Sequence, residues 1–324
     1  MSVKLCAIGA GHHASRNLYP CFSQLRNALI AANADLDLEK ARMLAARHGI
    51  PASYSDYPEM LEREKPDGVI VCVGADFHAK AAMELLPRGF HLFTEKPPAV
   101  DAAQARLVRE TWQHTGRICM TGFKKRFAPA YAKAKAIIDD DRFGSPAVLN
   151  IGRTAGNFPN RGNFLSECLL ESGIHVVDLA QWLFGRVRRV AAFRGAPANY
   201  AINFDFVNGA VGTLTLTDRL DYERGWEEVT AIGSTGVCVQ VDNSVEMIAF
   251  EKKVPFAAHK PNFVAGSSHS SVEMGFVGEL QAFVDAIADG TAPVSGIDSS
   301  AHTMEILEAV ERSALLGEMM EIPE

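Results

Sequence analysis

Short apolar runs recur at 3–8, 29–34, 68–73, 91–94 and 118–121, each separated from the next by a stretch of helical spacing. The segment 38–48 is the clearest helix: Leu38, Ala41, Leu44 and Ala45 fall three or four apart, and Gly49 and Pro51 end it. Near-continuous apolar strands alternating with amphipathic helices are what a parallel sheet needs, because both its faces are buried. The pattern predicts a doubly wound parallel sheet over residues 1–123.

Beyond residue 123 the rhythm changes. Runs at 147–153, 199–207, 210–218, 229–232, 237–241 and 245–251 follow one another with only turns between several of them. Strands joined by turns pair antiparallel, and Asn208-Gly209 and Ser234-Thr235-Gly236 have suitable turn chemistry. Helical stretches at 128–140, 165–184, 276–288 and 300–316 flank them. The expected architecture is α/β: an N-terminal Rossmann sheet followed, over 124–324, by an α+β domain with a largely antiparallel sheet.

Composition narrows the classes. The 324 residues are 48% hydrophobic and 22% charged, which supplies a sizeable core and argues against disorder. A net charge of -7 with scattered Lys and Arg offers no field for a phosphate backbone, so nucleic acid is not an expected partner. No apolar run approaches the roughly 20 residues of a bilayer span, and no membrane partner is expected. The opening Met1 to Leu5 leads straight into a glycine turn, the wrong shape for a cleaved signal, so a cytoplasmic location is expected. Six cysteines without a C-x-x-C pair and ten histidines without ligand spacing predict core thiols and no metal.

The first chemistry is at Gly9-Ala10-Gly11-His12-His13-Ala14, where the first strand meets a helix in the pattern G-x-G-x-x-A. Gly9 permits the tight turn, Gly11 lets backbone approach a pyrophosphate, and Ala14 allows close packing of helix on sheet. Asp35, at the end of the second strand, is placed to accept from the adenosine ribose hydroxyls. Its charge repels a 2′-phosphate, favouring NAD over NADP. Asp76 and His78 are expected in the loop bordering the coenzyme cleft, and His12 and His13 along the phosphate turn.

Three further segments, Glu95-Lys96-Pro97, Gly122-Phe123-Lys124-Lys125-Arg126-Phe127 and Glu171-Ser172-Gly173-Ile174-His175-Val176-Val177-Asp178, complete a set. Together with the glycine turn they resemble the glucose-fructose oxidoreductase / inositol dehydrogenase (Gfo/Idh/MocA) family over nearly the whole chain. The resemblance implies an NAD(P)-dependent dehydrogenase acting on a CH–OH group of a sugar, cyclitol or sugar derivative. It places Glu95 and Lys96 beside the nicotinamide, with a commonly cis bond before Pro97, and makes His175 the group that exchanges the hydroxyl proton.

Glu171 and His175 are four apart and would share a face of one α-helix, with Asp178 nearby. Relatives carry Asp where this chain has Glu171. That departure keeps two alternatives in view: a glycoside hydrolase or eliminating enzyme using transient oxidation, and a non-catalytic dinucleotide and sugar sensor. Arg126, Arg153, Asn157, Asn163 and Asp178 are candidate substrate ligands. Relatives pair through the face of the second sheet, so a homodimer or homotetramer is expected.

Overall fold

The computed structural model describes residues 2–155, 164–196, 198–219, 226–262 and 271–323. Internal contacts group the chain into two compact units, Met1–Lys124 with Gly275–Ala301, and Lys125–Met274 with His302–Glu324. The second stretch is therefore not one continuous piece: Gly275–Ala301 belongs with the N-terminal unit.

In the first unit, β1 (Val3–Ile8), β2 (Ala28–Ala34), β3 (Ala52–Tyr54), β4 (Gly68–Val71), β5 (His91–Glu95) and β6 (Cys119–Gly122) form one sheet in the order β3-β2-β1-β4-β5-β6. Every pairing is parallel. The chain winds outward from β1 to β3 and then restarts at β4 on the other side. That reversal opens a crevice at the carboxyl ends of β1 and β4, where such sheets bind ligands. The three-residue β3 escaped the sequence pattern because it is too short to show alternation.

The helix Leu38–His48 begins where Asp37 accepts from the Lys40 N–H and ends at Gly49 with φ +69°. The late helix Phe276–Asp289 sets Phe283 against Phe93, ring centres 5.8 Å apart. It lies so close to the sheet that a Cβ on Gly68 would come within 2.9 Å of Ile287. Its apolar stripe was legible, but a stripe does not say which sheet it covers.

Among the described residues the second unit has nine strands: β7 (Pro146–Thr154), β8 (Val187–Gly195), β9 (Asn199–Phe206), β10 (Val211–Thr217), β11 (Glu227–Gly233), β12 (Cys238–Asp242), β13 (Glu246–Glu251), β14 (Val254–His259) and β15 (Met320–Glu321). Their order is β14-β13-β12-β11-β7-β10-β9-β8-β15, antiparallel except for the parallel pair β7 and β10. Tyr200, Ile202, Phe204 and Phe206 point into the core while Ala201 and Asn203 point out. The helix Ile174–Phe184 is buried along nearly its whole circumference, which suits a helix packed into the core rather than onto its rim. β8 and β14 were not expected, because the arginines of β8 and the exposed side chains of β14 blur the period-two signal. Among the described residues no helix is long and apolar enough to cross a membrane.

Candidate functional site

At the carboxyl end of β1, Gly9 takes φ +105°, and a Cβ there would lie 2.2 Å from the Cys72 carbonyl oxygen. Only glycine fits, so the turn is pressed onto the end of β4. Gly11 is the opposite case: a Cβ there would meet no atom within 4 Å, leaving the outer side of the turn open. Ala14 is buried at the start of a π-helical turn, Ala14–Leu18, that runs into the helix Tyr19–Phe22.

Asp35 Oδ2 accepts from the Ala10 N–H at 2.7 Å and Oδ1 from the Asp37 N–H at 2.9 Å. A carboxylate has about four acceptor positions, so ribose hydroxyls can still be received. An open glycine turn with an acidic group anchored to it fits a dinucleotide: the turn would hold the pyrophosphate and Asp35 the adenosine ribose. Among the described residues no group of three or more His, Cys, Asp or Glu is disposed to hold a metal ion.

His12 is exposed, whereas His13 reaches across to β5. Asn17 donates to His13 Nδ1 at 3.1 Å, which leaves Nε2 to donate to Glu95 Oε1 at 3.1 Å. The His13 ring meets Phe276 edge-on at 5.9 Å. Glu95 is buried, and its Oε2 accepts the Lys96 N–H at 3.1 Å. Burial works against its charge, but the hydrogen bonds from His13 and the Lys96 N–H, with the charge of Lys96, overcome this and hold its pKa below the ordinary value. Lys96 follows, half-buried, and its bond to Pro97 is cis.

Asp76 and His78 are not in a loop. Both lie on the helix Ala75–Leu85, which starts directly after Gly74 without a capping side chain that would have marked its beginning. Asp76 is exposed, but His78 is buried and bonds to the Val73 N–H and the Pro97 carbonyl.

In the second unit, the single α-helix expected over 165–184 is divided. Leu169–Gly173 forms a π-helical turn that continues into the α-helix Ile174–Phe184. At the joint, a Cβ on Gly173 would come within 2.9 Å of Leu169 and 3.2 Å of Leu216, so glycine lets these side chains pack closely there. Glu171 lies on the π turn, half-buried, and His175 in the first turn of the α-helix, 9% exposed. The wider π turn offsets Glu171 from the face that α-helical spacing implies.

Arg126 and Asp178 are brought together in a buried fork: Nε donates to Oδ2 at 2.8 Å and Nη2 to Oδ1 at 2.5 Å, with Thr303 Oγ1 3.3 Å from Oδ1. Both oxygens of Asp178 are thus committed to protein partners. Arg153 donates to Ser172 Oγ at 3.0 Å and to Glu227, its register partner on β11. Sequence reasoning missed Glu227, which also receives Lys125 Nζ at 2.6 Å, Tyr131 OH at 2.8 Å and Ser244 Oγ at 2.6 Å. Burial opposes its charge, but Lys125 and Arg153 hold its pKa far below the usual carboxylate range. Asn157 and Asn163 lie outside the described residues.

Comparisons with known proteins bear on the family and the fold. Residues 3–123 match the model of an oxidoreductase family with an NAD-binding Rossmann fold, and 131–239 match the GFO/IDH/MocA C-terminal domain. Inositol 2-dehydrogenase/D-chiro-inositol 3-dehydrogenase of Lactiplantibacillus plantarum is 27% identical over 182 residues, 56% of this chain and 52% of that protein. Inositol 2-dehydrogenase of Klebsiella pneumoniae is 28% identical over 187 residues, 56% of this chain and 55% of that protein. The chain thus spans about half the length of the curated relatives it matches. Among solved structures, a dehydrogenase from Chromobacterium violaceum superposes with a TM-score of 0.88 at 22% identity, covering 98% of this chain and 96% of that one. Levoglucosan dehydrogenase in complex with NADH and levoglucosan gives 0.86 at 18% identity, with both chains fully covered. At such identities these two structures speak to the fold.

Proposed function

The chain belongs to the Gfo/Idh/MocA oxidoreductase family, and from that premise we propose that it transfers hydride between NAD and a secondary alcohol of a cyclic polyol or sugar derivative. The observation that carries the reading is the junction at the end of β5, where buried Glu95 is followed directly by half-buried Lys96, beside β4 whose carboxyl end opens the coenzyme crevice. Asp35, bonded to the glycine turn from the end of β2, supports NAD over NADP, since its charge repels a 2′-phosphate. The inositol dehydrogenases among the relatives support a ring polyol.

When bound, the nicotinamide supplies the hydride acceptor. Lys96 then donates a hydrogen bond to the alcohol oxygen and stabilises the negative charge that grows there. His175 takes the hydroxyl proton, a task for which imidazole suits neutral pH. Glu171, the remaining catalytic candidate, lies on the π turn just before the helix that carries His175. The half-exposed Arg153, tied to Ser172 beside Glu171, is a substrate-facing group, while Arg126 and Asp178 brace the helix that carries His175.

Positioned acid-base groups contribute roughly 10²- to 10⁴-fold in rate, so Lys96→Ala and His175→Ala are expected to lower kcat by at least about 100-fold. NADH binding, followed by fluorescence, is expected to stay within about threefold for both, because neither removes the glycine turn or Asp35. Undiminished turnover by Lys96→Ala on a polyol that the native protein oxidises at 340 nm refutes the reading. Saturable NADH binding with no absorbance change across a broad polyol panel points instead to a binding protein.

A further inference from the structure

His78 is 1% exposed and uses both ring nitrogens. Nδ1 lies 2.8 Å from the Pro97 carbonyl oxygen, and Nε2 lies 3.3 Å from the Val73 nitrogen. A carbonyl only accepts and an amide N–H only donates, so the ring is a neutral imidazole with its proton on Nδ1. Burial lowers its proton affinity and the charge of Lys96 adds to that. The Pro97 bond and the charges of Glu95 and Asp76 work the other way without reversing it.

The two bonds lead to different parts of the coenzyme crevice. The Val73 N–H belongs to the Cys72-Val73 segment on which Gly9 rests, where a Cβ on Gly9 would stand 2.2 Å from the Cys72 oxygen and 2.9 Å from Val73 Cγ1. Fixing Val73 therefore fixes the floor under the glycine turn. The Pro97 carbonyl lies one residue after Lys96. Holding it fixes the backbone from which the Lys96 side chain departs.

We propose that His78 is a positioning residue with two separable duties: Nε2 holds the seat of the coenzyme turn, and Nδ1 holds the backbone that aims Lys96. The second duty rests on the reading of Lys96 as the group that meets the alcohol oxygen. A histidine that merely fills a helix interior would show no such division.

The duties can be separated because Asn places an amide nitrogen near the position of Nδ1, and Gln an amide oxygen near that of Nε2. His78→Asn keeps the donor to Pro97 and loses the acceptor for Val73; His78→Gln does the reverse. The expected result is a double dissociation. His78→Asn weakens NADH binding about tenfold with kcat within about threefold, and His78→Gln lowers kcat at least about tenfold with NADH binding within about threefold.

A readout independent of turnover is the rate at which acetic anhydride labels Lys96, mapped by mass spectrometry with and without NADH. Relative to the native protein, His78→Gln shifts that rate and its pH dependence, and His78→Asn does not. Equal losses in both variants, loss of the folded state in both, or no change in either overturns the proposal. Lys96→Ala separates the two failures. If it retains turnover, the role of Lys96 is wrong and the NADH arm still tests the Val73 duty; if it loses turnover while His78→Gln does not, only the present inference is wrong.

Discussion

Two glutamates near the carboxyl ends of the parallel strands receive opposite treatment. Glu95 has His13 and the Lys96 N–H on its oxygens and keeps its charge. Glu279, on the helix Phe276–Asp289, is fully buried, and among the described residues neither of its oxygens has a hydrogen-bond partner. Burial, reinforced by the nearby charge of Glu95 and only partly opposed by Lys124, pushes its pKa well above the ordinary value. A carboxyl with a folded pKa above its unfolded value favours folding most below the unfolded pKa, and that contribution is lost as pH rises toward the folded pKa. Glu279→Gln removes the proton. Its urea midpoint is therefore expected to gain on that of the native protein as pH rises from about 4 to 8. Parallel pH profiles for the two proteins would refute the assignment. Nothing in the sequence marks this residue, since a glutamate in the first turn of a helix is a common, dipole-favoured choice at an exposed end.

Elements whose chemistry is local were legible, and those that depend on distant partners were not. The glycine turn, the helix ended by Gly49 and the hairpin at Asn208-Gly209 are each specified within a few residues, and each has its place in the structure. Arg126 and Asp178 were separate substrate candidates, yet they form one fork across 52 residues, and Glu227 meets Arg153 across 74. Strand register between elements not joined by a hairpin is decided by packing, so no short motif announces it. The fork permits a prediction. Removing one partner leaves the other charge buried, so Asp178→Ala is expected to cost about 3–5 kcal/mol in denaturant unfolding. Replacing both residues, as Arg126→Met with Asp178→Leu, is expected to cost less than either single change to Ala. A Asp178→Ala loss below about 1 kcal/mol, within the range of an exposed ion pair, would mean that the pair is not the bolt of this helix.

At the scale of the whole molecule, the return of Gly275–Ala301 to the first unit is the organisational feature that the hydrophobic pattern does not contain, because an amphipathic helix fits either sheet. The nine-stranded sheet shows the same limit. Alternation along β9 and β10 revealed two faces, but not what meets the outer one. On that outer face Phe193, Ala201 and Thr215 stand in register on β8, β9 and β10, all exposed, with Phe193 73% accessible. These three side chains carry no charge, and the exposed Phe193 ring gains most from burial against a second sheet. Association of like chains through this face is therefore the expected state, and light scattering is expected to give at least twice the monomer mass. Ala201→Glu places a charge at the middle of the row, where a two-fold interface would bring two such charges close together, and is expected to shift the protein to monomers. Because Ala201 is exposed within the protomer, the thermal midpoint of the separated chain is expected to fall only as far as loss of association requires. A native protein that remains monomeric at tens of micromolar, or an Ala201→Glu variant of unchanged mass, would rule out this face as the junction.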